Sequence, residues 1–233
     1  MGHVIDLPEF REKTHVFLDR HDAGRQLAAL IERSAGTRYD RILAIPAGGV
    51  PVGVELSRAL HVPLSLAIVR KIQIPGNTEA GFGAVTWDGK VRINERLVRT
   101  LQLSEAEVNH AIAKTKKNIS DRILRFSGGK PLPDLRGGKI IVTDDGLASG
   151  FTMLATLENI STYQPASVAV AVPTAPLSIT KMVAEVADLL ICLNVRSGPY
   201  FAVADAYWEW SDLSDREVMM ELANVSSSDG AQR

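Results

Sequence analysis

One cysteine, Cys192, is all that the 233 residues contain, so no internal disulfide can form. With five scattered histidines beside it, no zinc-like ligand spacing arises. Net charge is almost absent as well. The 26 lysines and arginines against 27 aspartates and glutamates leave −1, so no overall field draws the chain to nucleic acid or to an anionic membrane, and any anion binding is local. No window approaches roughly 18 uninterrupted apolar residues, and Met1 to Asp19 hold acids and bases where an export signal would carry an apolar stretch. A cytoplasmic chain without nucleic-acid or membrane partners is expected. Neither Gly-x4-Gly-Lys-Ser/Thr nor Gly-x-Gly-x-x-Gly occurs, so a Walker loop and the dinucleotide fingerprint are both missing.

What is present describes a globular chain, since 45% hydrophobic and 23% charged residues leave too much apolar matter for disorder. By the prior of roughly 150 residues per domain the length lies between one and two. One elaborated domain, residues 1–225, is expected, followed by a Ser-rich frayed tail, 226–233. Short apolar runs at Arg41 to Ile45, Leu64 to Val69, Lys139 to Thr143, Ser167 to Val172 and Asp188 to Leu193 suit strands buried on both faces. Amphipathic stretches alternate with them: Asp22 to Ser34, Val52 to Leu60, Thr152 to Ser161 and Leu177 to Val186. The alternation predicts an α/β fold with a doubly wound, mostly parallel, five-stranded sheet.

An insertion at about 72–130 breaks this rhythm. Ile72 to Glu79, with Pro75, Gly76 and Asn77, reads as a loop that could serve as a lid, and Asp88-Gly89 between Phe82–Trp87 and Lys90–Ile93 reads as a type I′ hairpin turn. Ser104 with Glu107 forms a capping-box pattern, Leu103 and Val108 sit at staple positions, and Val108, Ile112, Ile119, Ile123 and Phe126 recur at helical spacing. One long helix ending before Gly128-Gly129 follows. Its basic residues Lys114, Lys116, Lys117, Arg122 and Arg125 read as a solvated face.

The chemistry concentrates between Lys139 and Thr152, where an apolar strand runs into Asp144 and Asp145, then into the small residues Gly146, Ala148, Ser149 and Gly150, then into a helix. Small residues let backbone N–H groups converge on a phosphate, the helix N-terminus adds partial positive charge, and the Ser149 and Thr152 hydroxyls complete a cradle. Carboxylates at the strand end accept hydrogen bonds from a sugar diol or help to position a divalent cation. A lone Gly-rich turn is often only structural, and an Asp there only a helix cap. Two further segments add weight. Ala47-Gly48-Gly49-Val50 follows a strand and opens a helix, and Arg70-Lys71 offers a bidentate fork and a point charge to an anion.

At Ile140 to Thr152 the chain resembles the type I phosphoribosyltransferase family, whose signature is an apolar strand, two acids, Gly, any residue, Ala, Thr or Ser, Gly and a nearby Thr; Ser149 stands in the Thr/Ser place. The resemblance implies that fold, with a small hood, and binding of 5-phosphoribosyl 1-pyrophosphate (PRPP). Asp144 and Asp145 would take the ribose hydroxyls, and Ala148, Ser149, Gly150, Phe151 and Thr152 would surround the 5-phosphate, with Gly146 and Leu147 in the same substrate loop. Ala47, Gly48, Gly49 and Val50 would form the pyrophosphate loop. A subgroup of the family is similar also at Phe17-x-Asp19-Arg20-x-x-Ala23-Gly24, at Arg70-Lys71 before Pro75-Gly76-Asn77, and at Tyr207-x-x-Trp210-x-Asp212-x-Ser214-Asp215-x-Glu217-Val218. The resemblance therefore runs from about Val16 to Leu222. The chain departs from the subgroup at Gly81 and Phe82 and along Val195 to Val203, where Tyr200 and Phe201 either stack on a flat base or pack a hood.

The function so implied is transfer of the phosphoribosyl group from PRPP to a nitrogenous acceptor, a nucleobase first of all, with release of pyrophosphate, in nucleotide metabolism. Mg2+ would ride mainly on the PRPP, with Asp144 and Asp145 as candidate protein ligands, and the implied assembly is a homodimer. Arg70 and Lys71 would stabilise the leaving group while Asp144 and Asp145 hold the sugar. The rivals are a non-enzymatic PRPP or nucleotide sensor and a hydrolytic or phosphorolytic enzyme using the same pocket. No general base stands out: His3, His15, His21, His61 and His110 read as surface histidines, and Cys192 as packing.

Overall fold

The computed structural model describes residues 3–34 and 38–229. Six parallel strands form the main sheet: β1 (His3–Asp6), β2 (Arg41–Ala44), β3 (Leu64–Leu66), β7 (Lys139–Thr143), β8 (Ser167–Pro176) and β9 (Leu189–Arg196), in the order β1-β9-β8-β7-β2-β3. The sequence predicts five of these. The sixth, β1, pairs with β9 at the sheet edge and is half exposed, so it lacks the apolar run that marks a strand covered on both faces. Helices α1 (Arg20–Ser34) and α2 (Gly49–Leu60) cover one face, α5 (Phe151–Ser161) and α6 (Leu177–Ala184) the other. Alternate strand residues serve the two layers. Ile141, Ala169, Ala171 and Ile191 pack with Leu27 and Ile31, while Val142, Val170, Val172 and Leu190 pack with Leu157 and Val183.

The insertion builds its own satellite core. Strands β4 (Arg70–Ile74), β5 (Asn77–Val85) and β6 (Val91–Ile93) form an antiparallel sheet, followed by a short α3 (Glu95–Thr100) and the long α4 (Glu105–Ser127). The Ser104–Glu107 capping box forms as expected, and Val108, Ile112, Ile119, Ile123 and Phe126 lie against Ile72, Phe82 and Val85. The expected loop 72–79 is instead two paired strands, with Lys71 opposite Ala84 and Ile72 opposite Gly83. Alternation in Arg70-Lys71-Ile72-Gln73-Ile74 is their local signal. The partner strand, rich in glycine and alanine, gives almost none.

The Asp88-Gly89 turn also differs from expectation. Gly89 N–H donates to Thr86 O and Thr86 N–H to Lys90 O, so the connection has three residues, with Gly89 at φ +81° the one in the left-handed region. Asp88 caps it by accepting from Thr86 Oγ1 at 2.7 Å. This tip is fastened to the end of α5: Lys90 Nζ donates to Asn159 and Thr162 at 2.9 Å, and Trp87 Nε1 to the Tyr163 hydroxyl.

Helix α7 (Asp215–Asp229) closes the chain and packs on α2. It runs on through 226–229, where the sequence reading has a frayed tail; 230–233 lie outside the described residues. Among the described residues no helix is long and apolar enough to cross a membrane. Cys192 is fully buried in β9, and burial pushes its thiol far above the ordinary range. It should not react with a thiol reagent in the folded chain under conditions that label the urea-unfolded chain completely; rapid labelling of the folded chain would contradict this packing.

Candidate donor site at the carboxyl ends of the strands

Strands β2 and β7 are neighbours, with Ala44 opposite Thr143. From β2 the chain crosses toward β3 and from β7 toward β8, so the two connections diverge and leave a crevice outside the strand ends. Each connection leads straight into a helix, the first into α2 and the second into α5. Two helix N-termini, with amides that have no intrahelical acceptor, therefore stand at one crevice.

Close approach explains the glycines. Gly48 has ordinary helical backbone angles, so what it supplies is space: a Cβ there would lie 1.9 Å from Asp145 Oδ2 and 2.8 Å from Oδ1. At Gly49 a Cβ would lie 2.8 Å from both Asp144 Cα and Thr143 O. The two loops are packed backbone against carboxylate. Gly150, at φ +72°, turns the second loop into α5.

The adjacent acids have different surroundings. Asp144 lines a cleft of about 1060 Å3, together with Ala148, Ser149 and Thr152 from its own loop, Ile45 and Pro46 from the other, and Arg70 and Lys71 at the start of β4. Asp145 is not part of that lining. Its Oδ2 accepts from Arg20 Nε at 2.8 Å, and its backbone carbonyl accepts from the Tyr207 hydroxyl at 2.6 Å. Arg20 Nη1 donates to Ser211 O at 2.9 Å, and its guanidinium lies 3.8 Å from the Trp210 ring centroid. Burial, and after it the charge of Asp145, hold the Asp144 carboxyl well above the usual carboxylate range. Burial raises Asp145 too, against the pull of Arg20. It also keeps the Tyr207 phenol protonated and able to donate.

The far wall of the cleft is α4. Glu107, His110, Ala111, Lys114, Lys117, Asn118 and Asp121 fall on one stripe at helical spacing and line it. Two of the basic residues read as a solvated face thus look into the cleft. Arg122 and Arg125 instead pair with Asp215 at the start of α7. Burial, with Arg70 and Arg125 nearby, lowers Arg122 to about 10; burial also lowers Arg70. Periodicity shows which face of a helix is polar, not what stands opposite it.

The structure thus brings Asp144, Arg70, Lys71, Ala148, Ser149 and Thr152 to one cleft. Gly48, Gly49, Gly146 and Gly150 serve close packing around it, and Ala47 is half-buried in the first loop. Val50 and Leu147 are core residues, and Phe151 is half-buried in the first turn of α5. Tyr200 is 87% exposed and Phe201 sits 5.2 Å from the Arg196 guanidinium, both outside the cleft lining. Among the described residues no three His, Cys, Asp or Glu side chains converge as a metal cage. Sequence reasoning missed His110, Lys114 and Lys117 as wall residues and Arg20 as the partner of Asp145.

A parallel sheet whose diverging loops carry acids, small residues and two helix N-termini to one cleft defines an α/β domain of the doubly wound class. Residues 18–203 match the family model described as "Phosphoribosyl transferase domain", and the chain belongs to that family. It is 34% identical over 207 residues to "Putative phosphoribosyl transferase Rv0571c" of Mycobacterium tuberculosis, a match covering 89% of this chain and 46% of that protein. It is 24% identical over 140 residues to the hypoxanthine/guanine phosphoribosyltransferase of Methanothrix soehngenii, covering 60% of this chain and 54% of that one. The chain thus spans about half the length of these curated relatives. The crystal structure of TT1426 from Thermus thermophilus superposes with a TM-score of 0.73 at 28% identity, over 89% of this chain and 98% of that one.

Proposed function

We propose that the chain transfers the 5-phosphoribosyl group of PRPP to a nitrogenous acceptor, a nucleobase in the first instance, releasing pyrophosphate. The observation that carries this reading is the meeting, in one cleft, of a carboxylate for a sugar diol (Asp144), hydroxyls for a phosphate (Ser149, Thr152) and two cations for a second anion (Arg70, Lys71). The relative named as a hypoxanthine/guanine enzyme supports the choice of acceptor class.

In this reading the ribose hydroxyls donate to the acids, and the 5-phosphate sits at the N-terminus of α5. The pyrophosphate end lies toward the α2 N-terminus, Arg70 and Lys71. The acceptor nitrogen bonds to C1 as the C1–O bond to pyrophosphate breaks, with the electron pair leaving on pyrophosphate. Charge grows on the leaving group and on the ring, so the protein acts through positioning and electrostatics. A divalent cation fits this donor set when it arrives with the ligand's phosphates, since one or two carboxylates suffice for Mg2+ carried in that way. Asp144, which lines the cleft, would meet it, with Asp145 beside it, and the ion would supply charge neutralisation at the pyrophosphate. Two copies per assembly belong to the same reading, and light scattering tests that part.

The test is pyrophosphate release from PRPP and Mg2+ with a panel of purines, pyrimidines and small amines. Release that depends on an acceptor, with the matching ribosylated product, is expected. Release without any acceptor would mean hydrolysis, and binding without release would mean a sensor; either result overturns the transferase reading.

A further inference from the structure

We propose that Lys114 and Lys117 of α4 are binding residues for the pyrophosphate end of the donor, so that the insertion supplies the cleft with a fixed cationic wall. The inference rests on donor binding as proposed above. It assigns a role to a helix outside both the acid loop and the Gly48-Gly49 turn.

Both lysines line the cleft, on the stripe that also carries Glu107, His110, Asn118 and Asp121. Within one helical turn Lys114 has His110, Ala111, Lys117 and Asn118 beside it, and none of these is an acid. Lys117 stands three residues on, a spacing at which like charges on one helix face repel. Glu107 is engaged at the helix start, where it accepts from Ser104 N–H at 2.9 Å and from Ser104 Oγ at 2.7 Å. Asp121 lies a turn beyond Lys117, yet among the described residues neither lysine forms an ion pair, whereas Arg122 and Arg125 both reach Asp215. Two like charges thus sit side by side on the cleft with no carboxylate to balance them.

The surroundings are short of anions as well. Helix α4 packs along β4, and its Ile112 and Ile119 share a core with Ile72, so the lysines belong to the same wall as Arg70 and Lys71. Arg122, one turn past Asn118, is close enough to Arg70 for the two charges to repel. Its Nε and Nη2 are buried and meet no acceptor among the described residues. The wall is held in place by its apolar face in the satellite core and by the ties of Arg122 and Arg125 to α7. A fixed helix with unbalanced ammonium groups on a cleft is suited to a polyanion. Of the donor's two ends the pyrophosphate fits better. The 5-phosphate has the N-terminus of α5 with the Ser149 and Thr152 hydroxyls, whereas pyrophosphate carries more charge and gains more as the C1–O bond breaks. Ammonium groups on flexible stems can follow it as it departs.

Calorimetric titrations of PRPP with Mg2+, of pyrophosphate with Mg2+ and of ribose 5-phosphate test this. They are run on the wild-type chain, on Lys114→Gln, Lys117→Gln and the double glutamine variant, on the double variant Lys114→Arg with Lys117→Arg, and on Lys116→Gln. Each single glutamine change should weaken pyrophosphate binding by about 3-fold to 10-fold, and the pair by about 10-fold to 100-fold, as for charge-assisted contacts to an anion. PRPP should follow pyrophosphate, ribose 5-phosphate should bind as to the wild type, and the double arginine variant should keep most of the affinity. Lys116, two residues on from Lys114 and outside the cleft lining, is the control. Lys116→Gln changes the net charge equally and should leave all three ligands unaffected. An equal loss with Lys116→Gln, a loss of ribose 5-phosphate as large as that of pyrophosphate, or no recovery with arginine overturns the proposal. If the wild type binds PRPP and the double glutamine variant binds PRPP and pyrophosphate as tightly, the proposal alone falls; if the wild type binds no PRPP, the donor reading falls with it.

Discussion

Gly48→Ala should abolish donor binding and lower the melting temperature by about 10 °C. The new methyl group would lie 1.9 Å from Asp145 Oδ2, and neither partner can yield cheaply. Asp145 is held by Arg20 and Tyr207, and Gly48 caps the first turn of α2. Relief requires either breaking a buried ion pair, at about 3–5 kcal/mol, or lifting the loop away from the cleft it shapes. For a chain of this length each kcal/mol moves the midpoint by about 2–4 °C. Gly138→Ala is the control: a Cβ there meets nothing closer than 3.4 Å, so its melting temperature should stay near that of the wild type. Thermal melts of the two variants side by side give the comparison, and a Gly48→Ala chain as stable as the wild type would show that the two loops do not pack as described.

Asp144→Asn should move function and stability in opposite directions. Hydrogen bonds to a charged group are worth about 1.5–3 kcal/mol, so losing the carboxylate should weaken donor binding by at least about 10-fold. The same change should raise the melting temperature at neutral pH. Burial and the neighbouring Asp145 hold the Asp144 carboxyl well above its ordinary range in the folded chain, so ionising it there is penalised relative to the unfolded chain. The sign follows by linkage. A folded value above the unfolded one gives stability that is complete below the unfolded pKa and is lost as pH rises through the folded one. The gap between variant and wild type should therefore be small near pH 4 and widen toward neutrality. A variant that is less stable at every pH would mean that Asp144 contributes to folding rather than being tolerated for function.

Local chemistry made much of the site legible. Lys139–Thr143 forms the strand as expected, and α5 begins one residue before the predicted Thr152, because an apolar run ending in acids and small residues leaves the backbone few alternatives. The same holds for Ser104 and Glu107, whose reciprocal capping needs nothing beyond four residues of chain. What escaped the sequence depends on partners far away. Arg20 meets Asp145 across 125 residues, and no pattern around Arg20 marks it as a buried cation. Lys114 and Lys117 sit on a polar stripe that would look the same facing water. The β4–β5 hairpin was hidden because pairing is a property of two segments, and Pro75-Gly76 marks a break in the chain without saying whether the flanks come together. Phe201 was ambiguous for a related reason, and its neighbour proved to be Arg196.

The convergence of Phe17–Arg20 with Tyr207–Ser211 gives those two segments a common purpose. In the sequence each is marked only by its similarity to the subgroup, with no sign that the two meet. Together they build the back of the acid loop, while the insertion builds the far wall of the cleft.

The central claim is that PRPP binds at the carboxyl ends of β2 and β7. Calorimetric titration of PRPP with Mg2+ into the wild-type chain tests it most directly, with pyrophosphate and ribose 5-phosphate as competitors. The account predicts one saturable site per chain, with each competitor displacing the donor because each occupies one of its two ends. Absence of saturable binding, or binding indifferent to both competitors, would contradict it.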